Sequence, residues 1–157
     1  MELLRYESGQ TMKINEIQVS YKNPLVEDTE RISVIGSEKA FEVFSSHWQE
    51  IELVESFYLL ALNRANKPLG IKRLSQGGLN ATIIDTRVVF SILLKGLASS
   101  FIIAHNHPSC NLIPSEADKA ITKRLQAVGE VVEIKMLDHL ILNPRGEYYS
   151  FADNGLL

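Results

Sequence analysis

The stretch SSFIIAHNHPSCNLIPSEAD, residues 99–118, carries the pattern that decides the fold. It starts with a short apolar run, Ser99–Ala104, which is typical of a strand buried on both faces. Two histidines and Pro108 follow, and a proline prevents a central strand from continuing. The loop ends where Ser115 caps a helix whose first turn contains Asp118. The stretch therefore predicts a buried strand, a polar loop and a helix.

The flanking sequence continues the same alternation of strands and helices. A first helix is predicted to start with Ser37 as its N-cap, and its aromatic stripe of Phe41, Phe44 and Trp48 is typical of core packing. Further strands are predicted at Phe57–Leu62, Leu69–Leu74, Ala81–Ile84, Val131–Leu142 and Tyr148–Phe151, and further helices at Thr86–Leu97 and Ser115–Val128. This order predicts an α/β or α+β fold, with one mixed β-sheet flanked by helices.

Length and composition exclude several classes of protein. The 157 residues favour one domain, and 45% hydrophobic with 22% charged residues is the balance of a globular protein. No apolar run approaches the ~18–20 residues of a membrane span. The N-terminal residues lack the basic segment and the long apolar run of a secretory signal. A single cysteine excludes an internal disulfide framework, so we expect a cytoplasmic protein.

Charge is unevenly distributed along the chain. Residues 1–55 carry a net charge of −6 and residues 56–157 a net charge of +3. Neither part has the strongly basic character that non-specific nucleic-acid binding requires. Residues 1–36 are expected to form an N-terminal extension, with an edge strand at Lys13–Tyr21 and a loop at Lys22–Glu30, ahead of a domain at residues 37–157.

Two histidines, His105 and His107, stand two positions apart at the end of the apolar run. Side chains at positions i and i+2 of an extended backbone point to the same side, so both imidazoles can reach one point. Asp118 in the following helix supplies a third ligand. Two imidazoles and one carboxylate, with a fourth position left for water, are a typical catalytic zinc set. The sequence therefore predicts that these three residues bind Zn²⁺, which makes water acidic enough to react.

Other roles for these residues stay open at this point. Ser115 and Asp118 also fit a capping box with aspartate in place of glutamate, and helix capping alone explains both. Cys110 lies close to the histidine pair in sequence and is either a ligand or a small loop side chain. A His-x-His pair alone is often structural. The conjunction of all these residues within fourteen positions favours a metal site.

The motif H-N-H-P-S of residues 105–109, followed by Pro114, Ser115 and Asp118, resembles the signature of JAMM (MPN+) metalloproteases. It is most similar to the RadC family, whose usual form is H-N-H-P-S-G-x-x-x-P-S-x-x-D. The segment LDHLI at residues 137–141 and the ending at residues 149–157 are also similar to that family. The resemblance covers roughly residues 37–157. It implies a JAB/MPN-like fold that resembles the cytidine-deaminase-like architecture.

The resemblance also implies roles for individual residues. His105, His107 and Asp118 match the zinc ligands of the family, and Ser115 matches the serine that stabilises the oxyanion. The family's general-base glutamate precedes the first buried strand, where Glu55 matches it and Glu52 is the fallback. The implied activity is hydrolysis of an amide or isopeptide bond in a peptide or protein substrate.

The sequence departs from the family pattern in three places. Cys110 replaces the motif glycine and is strained if that position has a positive φ. Residues 85–88 read DTRV where the family often has H-P-R-E. Full-length relatives also carry an N-terminal helix–hairpin–helix region, which this sequence does not show. The family label associates the chain with DNA repair, and this last departure puts DNA binding in doubt.

Two questions therefore remain open in the sequence. Asp138 and His139 interrupt an apolar strand, which favours a hydrogen-bonded core histidine over a role beside the metal ligands or the substrate. The alternative function is a non-catalytic binding module in DNA metabolism, whereas a zinc deaminase is disfavoured because no H-x-E with P-C-x-x-C occurs. The substrate, nucleic-acid binding and the oligomeric state are left undecided.

Overall fold

The structure of the chain is a computed structural model that describes residues 4–5, 11–12, 32–77 and 84–157. The predicted strand at Lys13–Tyr21, the predicted loop at Lys22–Glu30 and all but the last residue of the predicted strand Ala81–Ile84 lie outside the described residues. In chain order the elements are β1 (Leu4–Arg5), β2 (Thr11–Met12), α1 (Gly36–His47), β3 (Ser56–Leu62), β4 (Pro68–Gln76), α2 (Thr86–Lys95), β5 (Ser100–Asn106), α3 (Glu116–Val131), β6 (Lys135–Leu142) and β7 (Tyr148–Ser150).

A mixed sheet of five strands organises the fold, in the order β4-β3-β5-β6-β7. Strand β3 pairs antiparallel with both β4 and β5, and β6 pairs antiparallel with β7. Strands β5 and β6 are parallel, so the chain must cross over between them, and α3 forms that crossover. The predicted α+β class with one mixed sheet is confirmed. Strands β1 and β2 form a separate two-stranded antiparallel pair.

Strand β3 is buried along its whole length, as its continuous apolar sequence predicts. Alternate side chains point to opposite faces of the sheet. Phe57, Leu59 and Ala61 therefore pack with α2 and α3, whereas Tyr58 and Leu60 pack with α1. Helices cover both faces, and this burial is the main source of stabilisation.

Helix α1 begins differently from its prediction. Its N-cap is Ile35, which has no capping side chain, so the prediction of Ser37 as N-cap is wrong. The Ser37 hydroxyl instead donates to Asp153 Oδ2 at 2.5 Å and lies 3.1 Å from the hydroxyl of Tyr148. The aromatic stripe does pack in the core: Phe44 is fully buried, and Phe41 and Trp48 pack against the same cluster.

The other elements differ from their predictions mainly at their ends. Helix α2 ends at Lys95, two residues early, because Leu97 takes a positive φ of 54° and lies largely exposed. Strand β5 runs two residues further than predicted and so includes His105. Helix α3 has Ser115 as its N-cap, as predicted. Among the described residues, none of the helices has the length and hydrophobicity needed to cross a membrane.

Candidate metal centre

The three predicted ligands come together where β5 ends and α3 begins. His105 is the next-to-last residue of β5, and His107 is the first residue after that strand. Asp118 lies in the first turn of α3. One ligand atom from each of the three lies within 4.8 Å of the others. His107 is still held by the sheet, because its N–H donates to the carbonyl of Leu142 on β6 at 2.8 Å. The predicted trio is therefore brought together by the strand–loop–helix crossover.

The distances within the trio fit a small cation. The Nε2 atoms of His105 and His107 are 3.0 Å apart, His105 Nε2 lies 3.3 Å from Asp118 Oδ1, and His107 Nε2 lies 3.9 Å from Asp118 Oδ2. Tetrahedral zinc with bonds of about 2.0–2.1 Å separates its ligands by roughly 3.3 Å. The observed separations bracket that value, so the side chains need little movement to share an ion.

The hydrogen bonds around the trio leave electron pairs facing its centre. His107 Nδ1 donates to the backbone carbonyl of Asn111 at 2.5 Å, and with this tautomer the lone pair of an uncharged ring is on Nε2. Asp118 Oδ2 accepts from the backbone N–H of Ser115 at 2.7 Å and from its hydroxyl at 2.6 Å. Lone pairs and a carboxylate so close together repel one another unless a cation joins them. The donor set, two imidazoles and one carboxylate, suits Zn²⁺.

Burial keeps the deepest ligand in the form that binds metal. His105 is 1% exposed. Burial lowers the pKa of His105 to about 3, with the charge of His107 acting in the same direction and the Asp118 carboxylate acting against both. Burial likewise lowers the pKa of His139 well below its ordinary value, with His105 and His107 adding to the effect. Both imidazoles are neutral at physiological pH, and a neutral imidazole is the form that binds a metal.

Ser115 and Asp118 form the capping box that their sequence left open, and Asp118 also faces the histidines. Ser115 Oγ accepts from the backbone N–H of Asp118 at 3.1 Å, and the Asp118 carboxylate accepts from the backbone N–H of Ser115, which is a complete capping box. At the same time, Asp118 Oδ1 faces His105. The capping box therefore fixes the carboxylate in the orientation that a ligand needs. Ser115 itself is exposed beside it.

An open cavity of about 550 Å³ lies over the trio. Its wall combines the exposed carboxylate of Glu55 with Ser115, Arg124 and the apolar side chains of Ile113 and Ile121. Glu52, the fallback for the base, is exposed but is not among the described residues that line the cavity. The cavity therefore brings Glu55 and Ser115 together with the three ligands.

The register of the sheet explains the position of Glu55. Phe57 on β3 is paired with His105 on β5 in an antiparallel ladder. Glu55 directly precedes β3 and His107 directly follows β5, just beyond the end of this ladder. Both residues line the same cavity as His105.

Asn106 holds the segment before β3 in place, a role that the sequence reasoning missed. Its buried carboxamide accepts from the backbone N–H of Ser56 at 2.7 Å and donates to the carbonyls of Ile51 at 2.6 Å and Val54 at 2.9 Å. Three bonds thus join the strand that carries His105 to the segment that carries Glu55. In the sequence, the only indication of this role is a carboxamide between two histidines, because its hydrogen-bond partners are about fifty residues away.

Cys110 lies in the loop after the histidines but does not join the cluster of three ligands found among the described residues. Its backbone φ is 63°, the left-handed conformation in which a residue with a side chain is strained. Its N–H donates to the carbonyl of His107 at 3.0 Å, closing a tight turn. Cys110 therefore shapes the loop through its backbone.

Asp138 and His139 are both buried in β6 and have full sets of partners. Asp138 accepts from the Ser150 hydroxyl at 2.6 Å and from the backbone N–H of Ala152 at 3.0 Å, and burial raises its pKa against these bonds. His139 is buried with both ring nitrogens hydrogen-bonded, as the sequence favoured, and its partners are the ring of His105 and the hydroxyl of Thr122. It therefore also lies directly beside a proposed metal ligand, the place that the sequence disfavoured.

Comparison with known proteins agrees with this geometry. The sequence profile described as "RadC-like JAB domain" matches residues 34–156. A UPF0758 protein of Flavobacterium johnsoniae is 47% identical over 102 residues, which cover 65% of this chain and 44% of that protein. A UPF0758 protein of Porphyromonas gingivalis is 36% identical over 141 residues, covering 90% of this chain and 62% of that protein. The chain spans about half the length of such relatives. With its profile match and its mixed sheet, the chain belongs to the RadC-like JAB domain family.

Proposed function

We propose that the chain is a zinc-dependent hydrolase of the JAMM type that cleaves an amide or isopeptide bond in a peptide or protein. The observation that carries this proposal is the cluster of His105, His107 and Asp118, whose ligand atoms face one another at the floor of an open cavity. A zinc ion held there acidifies water and polarises a carbonyl group. The rest of the chemistry belongs to side chains of this chain.

Glu55 is the proposed general base. Its carboxylate is exposed, lines the cavity and comes from a segment that Asn106 fastens to the histidine strand. In that position it accepts a proton from the attacking water and returns the proton to the departing amine. Glu55 is therefore the residue whose loss abolishes turnover without removing a ligand.

Ser115 is the proposed donor to the oxyanion. Its hydroxyl donates to Asp118 Oδ2, and the Ser115 backbone N–H donates to the same oxygen. Because the backbone bond can hold the carboxylate alone, the hydroxyl can turn to a substrate oxygen in the cavity. A donor that engages the developing charge contributes about 10²–10³ in rate.

The decisive experiment compares two glutamates of the same segment. Zinc content is measured by elemental analysis, and hydrolysis is followed with a panel of fluorogenic peptides and a lysine-linked isopeptide. Glu55→Gln is expected to keep zinc and to lose hydrolysis by about 10²–10⁴-fold, the usual contribution of a general base. Glu52→Gln, which changes a carboxylate outside the cavity, is expected to keep both.

Full turnover by Glu55→Gln would contradict the assigned base. A protein that binds zinc and duplex DNA but hydrolyses nothing would contradict the enzymatic proposal and favour a binding module in DNA metabolism. We place the protein in the cytoplasm, since its single cysteine suits a reducing compartment. A role in DNA repair is part of the proposal through the family label alone.

A further inference from the structure

A buried chain of hydrogen bonds runs from one metal ligand to the backbone of another. His105 Nδ1 lies 2.7 Å from His139 Nε2, and His139 Nδ1 lies 2.7 Å from Thr122 Oγ1. Thr122 Oγ1 in turn lies 2.6 Å from the backbone carbonyl of Asp118. His105, His139 and Thr122 are each exposed by 1% or less. These hydrogen bonds therefore link β5, β6 and α3 beneath the candidate metal centre.

The direction of every bond in this chain follows from its last member. A backbone carbonyl can only accept, so the Thr122 hydroxyl donates to Asp118 and must accept from His139 Nδ1–H. A neutral His139 with its proton on Nδ1 has a lone pair on Nε2. That lone pair accepts from His105 Nδ1–H. The lone pair of His105 is then on Nε2, the atom that faces His107 and Asp118.

Aromatic packing prevents the two rings from turning away. The ring of Phe57 stacks on His105 with centroids 4.5 Å apart, and the ring of Phe151 stacks on His139 with centroids 4.5 Å apart. Their interplanar angles are 18° and 14°. A ring held between a stacked neighbour and hydrogen bonds cannot exchange its two nitrogens without breaking both contacts. The order of the bonds is therefore built into the core.

We propose that Thr122 and His139 are positioning residues that set the tautomer of His105 and thereby the metal affinity of the site. The Thr122 hydroxyl also joins the His139 ring to the helical turn that carries Asp118. One hydroxyl therefore sets the tautomer of His105 through His139 and helps to position Asp118. This inference rests on the proposed function, because it concerns the ion that function requires. Partners that orient a metal-binding histidine typically contribute 10–100-fold in metal affinity.

The first test reads the protons directly in the unchanged full chain. Long-range ¹H–¹⁵N spectra of ¹⁵N-histidine-labelled, chelator-treated protein near neutral pH report which ring nitrogens carry hydrogen. We expect the proton on Nδ1 in both His105 and His139. A proton on Nε2 of either ring, or on both nitrogens of His139, would overturn the proposal.

The second test uses a matched pair of variants at Thr122. Thr122→Val keeps the shape of the side chain but removes the hydroxyl, whereas Thr122→Ser keeps the hydroxyl. Chelator competition is expected to show zinc affinity lower by about 10–100-fold in Thr122→Val and close to the original in Thr122→Ser. The His105 spectrum of metal-free Thr122→Val should show a mixture of tautomers, which a purely structural role would not produce. Equal zinc affinity in the two variants would overturn the proposal.

The outcomes separate this inference from the proposed function. A protein that binds zinc, shows the affinity difference at Thr122 and yet cleaves no substrate contradicts the hydrolase alone. A protein that cleaves its substrate while Thr122→Val binds zinc as tightly as Thr122→Ser contradicts the inference alone. If Thr122→Val does not fold, the ring protonation of the unchanged protein decides.

Discussion

The phenyl ring of Phe57 lies nearly parallel to the imidazole of His105, with the two ring centroids 4.5 Å apart. The two residues are paired across the antiparallel ladder of β3 and β5. Phe57 also lines the cavity two residues after Glu55. The same side chain therefore belongs to the hydrophobic core and supports the ring of His105.

Replacing the Phe57 ring by a smaller aliphatic side chain should affect metal binding more than the same replacement elsewhere in the core. Phe57→Leu and Phe101→Leu are each expected to lower the free energy of unfolding by about 1–2 kcal/mol, since both remove buried aromatic volume. Phe101 lies in the same core cluster, near the start of β5. Zinc affinity, measured by chelator competition, should fall in Phe57→Leu alone. A similar loss of affinity in both variants would show that general destabilisation is responsible.

Removing the Asn106 carboxamide should separate activity from metal binding. Asn106→Ala leaves the N–H of Ser56 and the carbonyls of Ile51 and Val54 without their partner, at a cost of about 1–3 kcal/mol. Glu55 then loses its fixed position, so hydrolysis should fall more steeply than zinc affinity. The control is Asn63→Ala, which removes a carboxamide that accepts two bonds in the β3–β4 turn. An equal loss of hydrolysis in the two variants would contradict the assigned role.

Replacing Cys110 by glycine should stabilise the fold. Its φ of 63° costs a side-chain-bearing residue about 1–2 kcal/mol, part of which is offset by the greater freedom of glycine in the unfolded chain. Cys110→Gly is therefore expected to raise the free energy of unfolding by up to about 1 kcal/mol, measured by denaturant titration. Cys110→Ala, which keeps a Cβ, should bring no gain. Equal stability of the two variants would show that the turn carries no strain at this position.

Stability of the metal-free protein should decrease in mild acid. The pKa of His105 is lowered to about 3 and that of His139 is lowered well below its usual value, whereas unfolded histidine titrates near pH 6.5. Below about pH 6.5 the unfolded chain binds protons that the folded chain does not, so stability falls as the pH decreases. The fall continues towards the folded pKa and is at most about 1.4 kcal/mol per pH unit for each imidazole. Asp138, with its raised pKa, acts in the opposite direction.

Denaturant titrations with a chelator present, on both sides of pH ~6.5, measure this dependence. His139→Gln removes one of the two buried imidazoles and should give a shallower slope. The control for the loss of a histidine is His47→Gln, which changes an exposed residue on α1. An unchanged slope in His139→Gln would contradict the assignment.

The sequence predicted the fold class and the convergence of His105, His107 and Asp118 because both depend on local patterns. An apolar run such as Phe57–Leu62 indicates a buried strand, and the three proposed ligands stand at fixed spacings around the end of one strand. Hydrogen bonds between residues that are distant in sequence have no such local pattern. The hydroxyl of Ser37 has a good local position for a cap, but Asp153, 116 positions away, binds it instead. Local spacing cannot show that competitor.

The same limit explains the missed residues around the site. In the sequence, Thr122 is one more residue on the inner face of α3, and only the fold shows that its hydroxyl contacts His139 on β6. This contact depends on the parallel register of β5 and β6, in which His139 pairs with Ile103. A shift of one residue would turn His139 to the other face of the sheet. The Asn106 carboxamide similarly donates to the carbonyl of Ile51, in a distant segment that follows α1.

The loop between the second histidine and α3 has a different status from the elements that flank it. His105, His107 and Asp118 stand on or directly beside regular elements, whereas the loop residues Ser109, Asn111 and Ile113 also line the cavity. His107 Nδ1 donates to the backbone carbonyl of Asn111, and the Asn111 side chain accepts from the N–H of Ile113, so hydrogen bonds within the loop fix its shape. In the proposed hydrolase, the side chains that select a substrate and those that react with it would therefore lie in separate parts of the polypeptide. Changes at Ser109 or Ile113 would then alter the choice of substrate and leave His105, His107 and Asp118 in place.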